Sequence, residues 1–437
     1  VPHPEPTPER APEHAPAVLA ATPPMGWNSW DCFGTTVTEA EVLANADHLA
    51  EHLLPHGWDT VVVDIQWYEP VTRAGGYRPV SDPVLDAHGR QLPAPNRFPS
   101  AAGGAGFAPL AAAVHERGLR FGLHVMRGIP RRAVELDLPV LGTDATARDI
   151  AVPDDDCAWN PDDVGVDLDH PAGQAWYDAQ VAQFAAWGVD YLKLDDVLHP
   201  YHERDVAAYA TAIRRSGRPI VLSTSPGRRL SLARAAHLRA HAQVWRVSDD
   251  LWDRWEDVRE QFQRAARWAP LQGPGGWADL DMLPLGRIGI RAERGEDRLS
   301  RLTLDEQRTM VTLWCVARSP LMLGGHLPDT PPETHALLTN DAVLEVLRTS
   351  SGNREVVRDE DLVVWTADLP GGTCAAVFWI GEGPSGPLRL SAGDLGTGPL
   401  GAVRDLWSGE GVACTAEAVE LEVPAHGTRL LLLSPAG

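Results

Sequence analysis

Short runs of β-branched and other apolar residues alternate with stretches of helical spacing from near residue 25 to near residue 325. This alternation constrains the chain most, because strand–helix–strand units assemble into parallel sheets. Strands are predicted at 60–65 (TVVVDI), 120–125, 190–195, 220–224, 242–247 and 321–323. The stretch 25–27 starts the series, and Met282 falls in a further short strand. Helices are predicted at 107–117, 172–187, 205–216, 232–239, 258–268 and 304–317, with Gly118 and Gly188 as stops. About eight such units in roughly 300 residues favour a (β/α)8 TIM barrel, an α/β fold, over a doubly wound sheet. No GxGxxG or GxxxxGK[ST] follows a strand, which also weighs against a nucleotide-binding fold.

The pattern changes after about residue 350. Short alternating segments at 361–366, 373–380, 388–391, 402–407, 418–423 and 428–433 are separated by Gly, Pro and Asp. They predict a C-terminal antiparallel β-sandwich. Residues 1–18, rich in Pro and Glu, read as a disordered lead-in. The expected organisation is therefore 1–18 disordered, 19–350 barrel and 351–437 sandwich.

Thirty-eight Lys and Arg against 60 Asp and Glu give a net charge of −22. A phosphate-tracking surface must be basic, so no nucleic-acid partner is expected. The same sign argues against a polybasic membrane contact. Apolar runs such as 430–433 fall far short of the ~18 residues of a spanning helix. The five cysteines are odd in number and form no CxxC pair, so neither a zinc ribbon nor a disulfide scaffold is indicated. A reducing, cytoplasmic setting is expected, with secretion open if a signal once preceded Val1. His199 and His202 sit in a loop and read as unliganded, and 154–156 reads as a solvated acidic loop rather than a calcium site. No metal is expected. The sandwich is either purely structural or a surface for homo-oligomer contacts.

In a barrel of this kind the chemistry lies at the C-terminal ends of the strands. Three apolar strands end in charge there: VVVDIQW with Asp64, YLKLDD with Lys193, Asp195 and Asp196, and VWRVSDD with Arg246, Asp249 and Asp250. The pleat puts Lys193 and Asp195 on one face, and Arg246 and Asp250 share parity. Lys193 is the only lysine in the chain, every other basic site being Arg. A compact ammonium with three donors suits a place a guanidinium cannot fill. Trp27, Trp30, Trp67, Trp245 and Trp252 lie near the same strand ends. Indole faces stack on the C–H faces of sugars. Two carboxylates on different strands, with cations beside them, suit cleavage of a glycosidic bond.

These residues carry a family resemblance. The segments TPPMGWNSWD (22–31), WGVDYLKLD (187–195), WRVSDD (245–250), GGWADLDML (275–283) and SPLMLGG (319–325) resemble glycoside hydrolase family 27, the clan D α-galactosidases. The resemblance covers about residues 20–437. It implies a (β/α)8 barrel, a C-terminal β-sandwich and a retaining double displacement on a small or polymeric glycoside, with no cofactor. By motif, Asp195 matches the nucleophile and Asp250 the acid/base. Arg246 and Lys193 match sugar ligands, Asp64 the first Asp of the IDDxW strand, Trp27 the pocket-wall Trp, and Asp281 the Asp of the D-P-D-M stretch. The resemblance further places Trp67 beside the sugar. The two carboxyl groups of a retaining pair are expected about 5–5.5 Å apart.

The departures from that pattern bear on the substrate. The second Asp of IDDCW, which resembles the group that binds the 6-hydroxymethyl of galactose, is Ile65. The C-E-W of the fifth strand becomes Thr224-Ser225-Pro226, so Ser225 replaces the 2-hydroxyl ligand, and His124 replaces a Tyr. Gln66 and Val197 stand where secreted relatives carry disulfide cysteines, so Cys32 and Cys157 lack those partners. Isoleucine accepts no hydrogen bond, and leaving a buried hydroxyl unpaired costs about 1–3 kcal/mol. A sugar with galactose stereochemistry and no C6 is L-arabinopyranose. The expected activity is release of terminal β-L-arabinopyranosyl residues, as in the Ile-bearing bacterial branch (VDIQWYEP, RGIPRR, MLPLGRIGIR). The alternative is an α-galactosidase that tolerates Ile65.

Overall fold

The computed structural model describes residues 18–78 and 81–436, so the expected N-terminal segment lies outside the described residues apart from Val18. Eight parallel strands run in the order β7-β6-β5-β4-β3-β2-β1-β8. They are β1 Met25–Asn28, β2 Thr60–Val63, β3 Arg120–Met126, β4 Tyr191–Asp195, β5 Val221–Thr224, β6 Val244–Arg246, β7 Trp277–Asp279 and β8 Leu321–Leu323. The register carries Met25 opposite Leu321, Gly26 opposite Thr60, and Lys193 between His124 and Ser223. A parallel bridge between Leu283 and Leu323 closes the sheet into a barrel. Strands β1, β2, β5, β6 and β8 are buried along their whole length. They read as continuous apolar runs because helices cover one face and the barrel interior the other.

The eight principal helices are α1 Glu39–His48, α2 Ala108–Glu116, α3 Pro171–Trp187, α4 Glu203–Ser216, α5 Ala235–His241, α6 Trp255–Trp268, α7 Leu304–Ala317 and α8 Asp341–Thr349. Their ends follow local chemistry. Helix α3 opens with Pro171 at its first position, and Gly188 closes it in the left-handed conformation at φ 87°. Helix α7 begins in a capping box between Thr303 and Glu306.

Three expectations change. The seventh strand is Trp277–Asp279, and Met282 lies beyond it on the segment that bends across to meet β8 at Leu283. The acidic run 154–156 lies on a strand, Ala151–Asp156, of a three-stranded sheet inserted between β3 and α3 with Ile129–Pro130 and Asp163–Val166. Its strands are too short and polar to signal themselves by period. Strand β9, Ser351–Asp359, precedes the first segment expected for the sandwich, because its alternation is masked by charged residues on its exposed side.

The C-terminal domain pairs a six-stranded sheet, β9-β10-β11-β16-β13-β14, with a two-stranded one, β12-β15. The remaining strands are β10 Leu362–Leu369, β11 Gly372–Trp379, β12 Leu388–Ser391, β13 Leu400–Asp405, β14 Gly411–Val412, β15 Ala418–Leu421 and β16 Thr428–Pro435. Between the sheets Val364, Val377, Leu390, Leu431 and Leu433 form their own core. The domain docks on the barrel through Phe378 edge-on to Phe262 of α6 at 5.0 Å. Thr309 Oγ1 of α7 donates to the His426 carbonyl at 2.7 Å, and Trp407 Nε1 donates to Thr312 Oγ1 at 2.9 Å. Among the described residues no helix is long and apolar enough to cross a membrane.

Candidate active site

At the C-terminal ends of the strands the barrel opens into a small cavity. Six charged residues singled out from the sequence line it together, Asp64, Lys193, Asp195, Arg246, Asp250 and Asp281, with the indoles Trp30 and Trp252. Each sits in the last residues of a strand or in the loop that follows it.

Asp64 follows β2. Its Oδ2 accepts from Lys193 Nζ at 2.8 Å and from Asn28 Nδ2 at 2.7 Å, while Oδ1 accepts from the Ile65 N–H at 2.9 Å. Burial pushes the Asp64 carboxyl up, but the adjacent Lys193 ammonium outweighs it and holds the group below its ordinary value. For Lys193 burial pushes down, and the charges of Asp64 and Asp195 more than restore the cation. The pair is a buried charge couple, with side chains 14% and 2% exposed. Replacing Lys193 by Met strands Asp64 as an uncompensated buried charge, which costs about 3–5 kcal/mol at neutral pH. Equilibrium urea unfolding measures it. Because Asp64 is depressed in the folded state, the stabilisation is complete above the ordinary carboxylate range and is lost as pH falls through the lowered value. The K193M penalty therefore shrinks toward acid pH.

Asp195 ends β4. Its Oδ2 lies 3.1 Å from His124 Nε2, and its Oδ1 accepts from the Asp196 N–H at 2.9 Å. An ionised carboxylate only accepts, so Nε2 carries the proton. Burial opposes ionisation of Asp195, but the His124 hydrogen bond and the charges of Lys193 and Arg246 win and hold it far below the usual carboxylate range.

Arg246 ends β6 and is buried between two acids. It donates to Asp281 Oδ1 at 3.0 Å and to Asp250 Oδ1. Asp250 lies beyond the strand, so the loop 247–250 folding back, rather than the pleat, brings it to Arg246. Asp281 is fixed further by the Leu251 N–H, which donates to its Oδ2 at 2.7 Å. The two candidate carboxylates differ in access, Asp195 being 11% and Asp250 38% exposed in the side chain. Asp195 is thus the more enclosed of the two and Asp250 the more open to solvent.

Five expected contacts stand behind the wall instead of in it. Trp27 is fully buried and its Nε1 donates to the Gly325 carbonyl at 2.8 Å. The indoles that line the cavity are Trp252 and Trp30, the latter three residues on, because the chain leaves β1 and turns over the strand ends. Trp67 is a core residue whose Nε1 donates to the His124 carbonyl at 2.8 Å. His124 is 1% exposed and meets Asp195, not the cavity. Ser225 is buried, with an Oγ that has no hydrogen-bond partner. Ile65 is 1% exposed and is not among the residues that line the cavity.

Asp31, Tyr77 and Leu251 line the cavity without a sequence signal that singled them out, and Met282, expected on a strand, does so too. Asp31 lay within the quoted segment 22–31 but not at a strand end. Its Oδ2 is buried with no partner, packed so closely on Gly324 that a Cβ there would lie 1.9 Å away. Burial, reinforced by the charge of Asp281, pushes the Asp31 carboxyl well above its ordinary range.

Among the described residues no group of three or more His, Cys, Asp and Glu is placed to hold a metal ion. All five cysteines are unpaired.

Comparison with known proteins follows the same lines. Residues 162–348 match the family model for alpha galactosidase A, and residues 359–433 match the alpha galactosidase C-terminal beta sandwich domain. The structure of a GH27 β-L-arabinopyranosidase from Geobacillus stearothermophilus superposes with a TM-score of 0.93 at 48% identity, covering 96% of this chain and 97% of that one. An alpha-galactosidase from Cyamopsis tetragonoloba is 27% identical over 425 residues, 95% of this chain and 87% of the relative. Alpha-galactosidase I from Mortierella vinacea shares the fold at a TM-score of 0.73 and 21% identity, over 97% of this chain and 99% of that one.

Proposed function

We propose, from the premise that the chain belongs to glycoside hydrolase family 27 and is a glycosidase, that it releases terminal β-L-arabinopyranosyl residues by a retaining double displacement. The observation that carries the substrate reading is Ile65: the position after Asp64 holds a buried hydrocarbon and no acceptor for a 6-hydroxyl. The Geobacillus structure named as a β-L-arabinopyranosidase, similar over almost the whole chain, supports it, and a second one is described as a complex with arabinose.

In this reading Asp195 attacks C1 from one face of the ring while Asp250 gives its proton to the leaving oxygen. The C1–O bond breaks as the C1–carboxylate bond forms, giving a glycosyl ester. Asp250, now an anion, takes a proton from water, which attacks C1 and frees Asp195 with the original anomeric configuration. Asp195 suits the first role because it is anionic and enclosed. Asp250 suits the second because it is the more open to solvent. Arg246 holds Asp250 against Asp281, Lys193 and Asp64 present a donor and an acceptor to ring hydroxyls, and His124 orients Asp195. The five unpaired cysteines support work in a reducing compartment such as the cytoplasm.

Steady-state kinetics on two aryl glycosides test the substrate. The 4-nitrophenyl β-L-arabinopyranoside is expected to exceed the α-D-galactoside in kcat/KM by roughly 5- to 150-fold, the worth of one unpaired buried hydroxyl. A preference for the galactoside would establish the α-galactosidase reading instead.

A further inference from the structure

A row of aromatic rings leads out of the cavity. Trp30, in its wall, stacks on Tyr77 with ring centroids 5.4 Å apart and planes at 29°. Tyr77 also lines the cavity and lies 5.3 Å from Trp159, at 49°. Trp30 is buried and Tyr77 half-buried, whereas Trp159 is 39% exposed. Tyr77 sits close to both candidate catalytic acids: after burial, the charges of Asp195 and Asp250 contribute most to pushing its hydroxyl up. Trp159 is therefore the next ring outward from the cavity wall, beyond Tyr77.

The loop that carries it is held in place. Trp159 and the small Ala158 lie between Cys157 and Asn160, which are 4% and 0% exposed, so the indole is the one large side chain this stretch displays. The inserted sheet is pinned to the strand of Asp195 by Arg127, a buried guanidinium. Arg127 donates to both oxygens of Asp155, at 2.8 and 3.1 Å, and to Asp196 Oδ2 at 2.9 Å. Asp196 directly follows Asp195. Arg131 pairs with Asp156 at 3.1 Å on the same insert. A large indole left in water on a braced loop has an apolar face available for a ring.

We propose that Trp159, backed by Tyr77, is the platform on which the leaving group of the glycoside stacks, so that the substrate carries a second ring, a pyranose or an aromatic, next to the scissile bond. This rests on the reading of the cavity as a glycosidase site and names the other half of its substrate. The role is one of positioning: the stacked ring sets the leaving oxygen against Asp250.

A leaving-group comparison tests it on Trp159→Ala and Trp159→Phe, using whichever glycone the wild type turns over. Each protein is assayed on the 4-nitrophenyl glycoside, on a disaccharide of the same glycone, and on the glycosyl fluoride, whose leaving group has no ring. In W159A the ratio of kcat/KM for either ring-bearing substrate to that for the fluoride is expected to fall about tenfold, the worth of one aromatic stack. W159F is expected to restore most of it. An unchanged ratio overturns the proposal, whether W159A loses activity equally on every substrate or on none. A wild type inert toward both arabinosyl and galactosyl fluoride would sink the glycosidase reading itself, a different outcome from an unchanged ratio.

Discussion

Asp195→Ala is expected to lower kcat by at least about 10⁴-fold, and sodium azide is expected to restore turnover with inversion at the anomeric carbon. Without the carboxylate no ester forms, and the truncated side chain leaves room below C1 for a small anion. Azide attacks from that face, so a β-L-arabinopyranoside yields the α-L-arabinopyranosyl azide. Asp250→Ala is expected to behave in the opposite sense. Its loss is large for leaving groups that need a proton and small for 2,4-dinitrophenolate, which departs unaided. Azide then attacks the ester on the side water would have used, and the azide product keeps the β-L configuration. Proton NMR of the two products separates the roles in one experiment. The geometry argues for this assignment over its reverse. Asp195 is held as an anion by His124, Lys193 and Arg246 against the opposing effect of burial. Asp250 is the more exposed of the two and touches Arg246. A D195A product of retained configuration would reverse the assignment.

The barrel was legible in the sequence because its strands are buried on both faces and so appear as unbroken apolar runs, of which TVVV is the plainest. The polar residues ending those runs located the cavity, since a parallel barrel puts all its strand ends on one side. Lys193, Asp195 and Asp64 were found this way, and they meet as the pleat and register require. What strand logic cannot see is the path of the chain after a strand. Asp250 reaches Arg246 through a folded-back loop, and Trp30, not Trp27, faces the cavity because β1 gives way at once to the short helix Trp30–Phe33. The inserted sheet of 129–166 was missed for a related reason. Val152 to Asp156 is largely exposed and acidic, so no apolar period marks it, although it leads into the loop that sets Trp159 beside Tyr77. Asp31 escaped because its neighbourhood is set by Gly324 and Asp281, some 290 and 250 residues away in sequence.

Ile65→Asp is expected to raise kcat/KM on 4-nitrophenyl α-D-galactoside by roughly 5- to 150-fold while lowering it on the β-L-arabinopyranoside. The two sugars differ by one hydroxymethyl on C5. A site without a partner for that hydroxyl strips it of water and returns nothing, whereas a carboxylate there accepts from it. The structure also sets the cost. Ile65 is 1% exposed and follows Asp64, which already draws on Lys193 and Asn28. A second anion beside it divides the attraction of the one ammonium and opposes ionisation of both acids. I65D is thus expected to be less stable than the wild type by about 1–3 kcal/mol, measurable by urea unfolding, with the gain on galactoside visible in spite of it. Ile65→Asn supplies an acceptor without the charge and is expected to recover the stability while keeping part of the galactoside gain. Ile65→Val removes a methylene without adding an acceptor. If Val improved the galactoside as much as Asp, bulk alone would account for the discrimination. If none of the three variants changed the ratio of the two substrates, Ile65 would have no part in it, and another wall of the cavity would read C5.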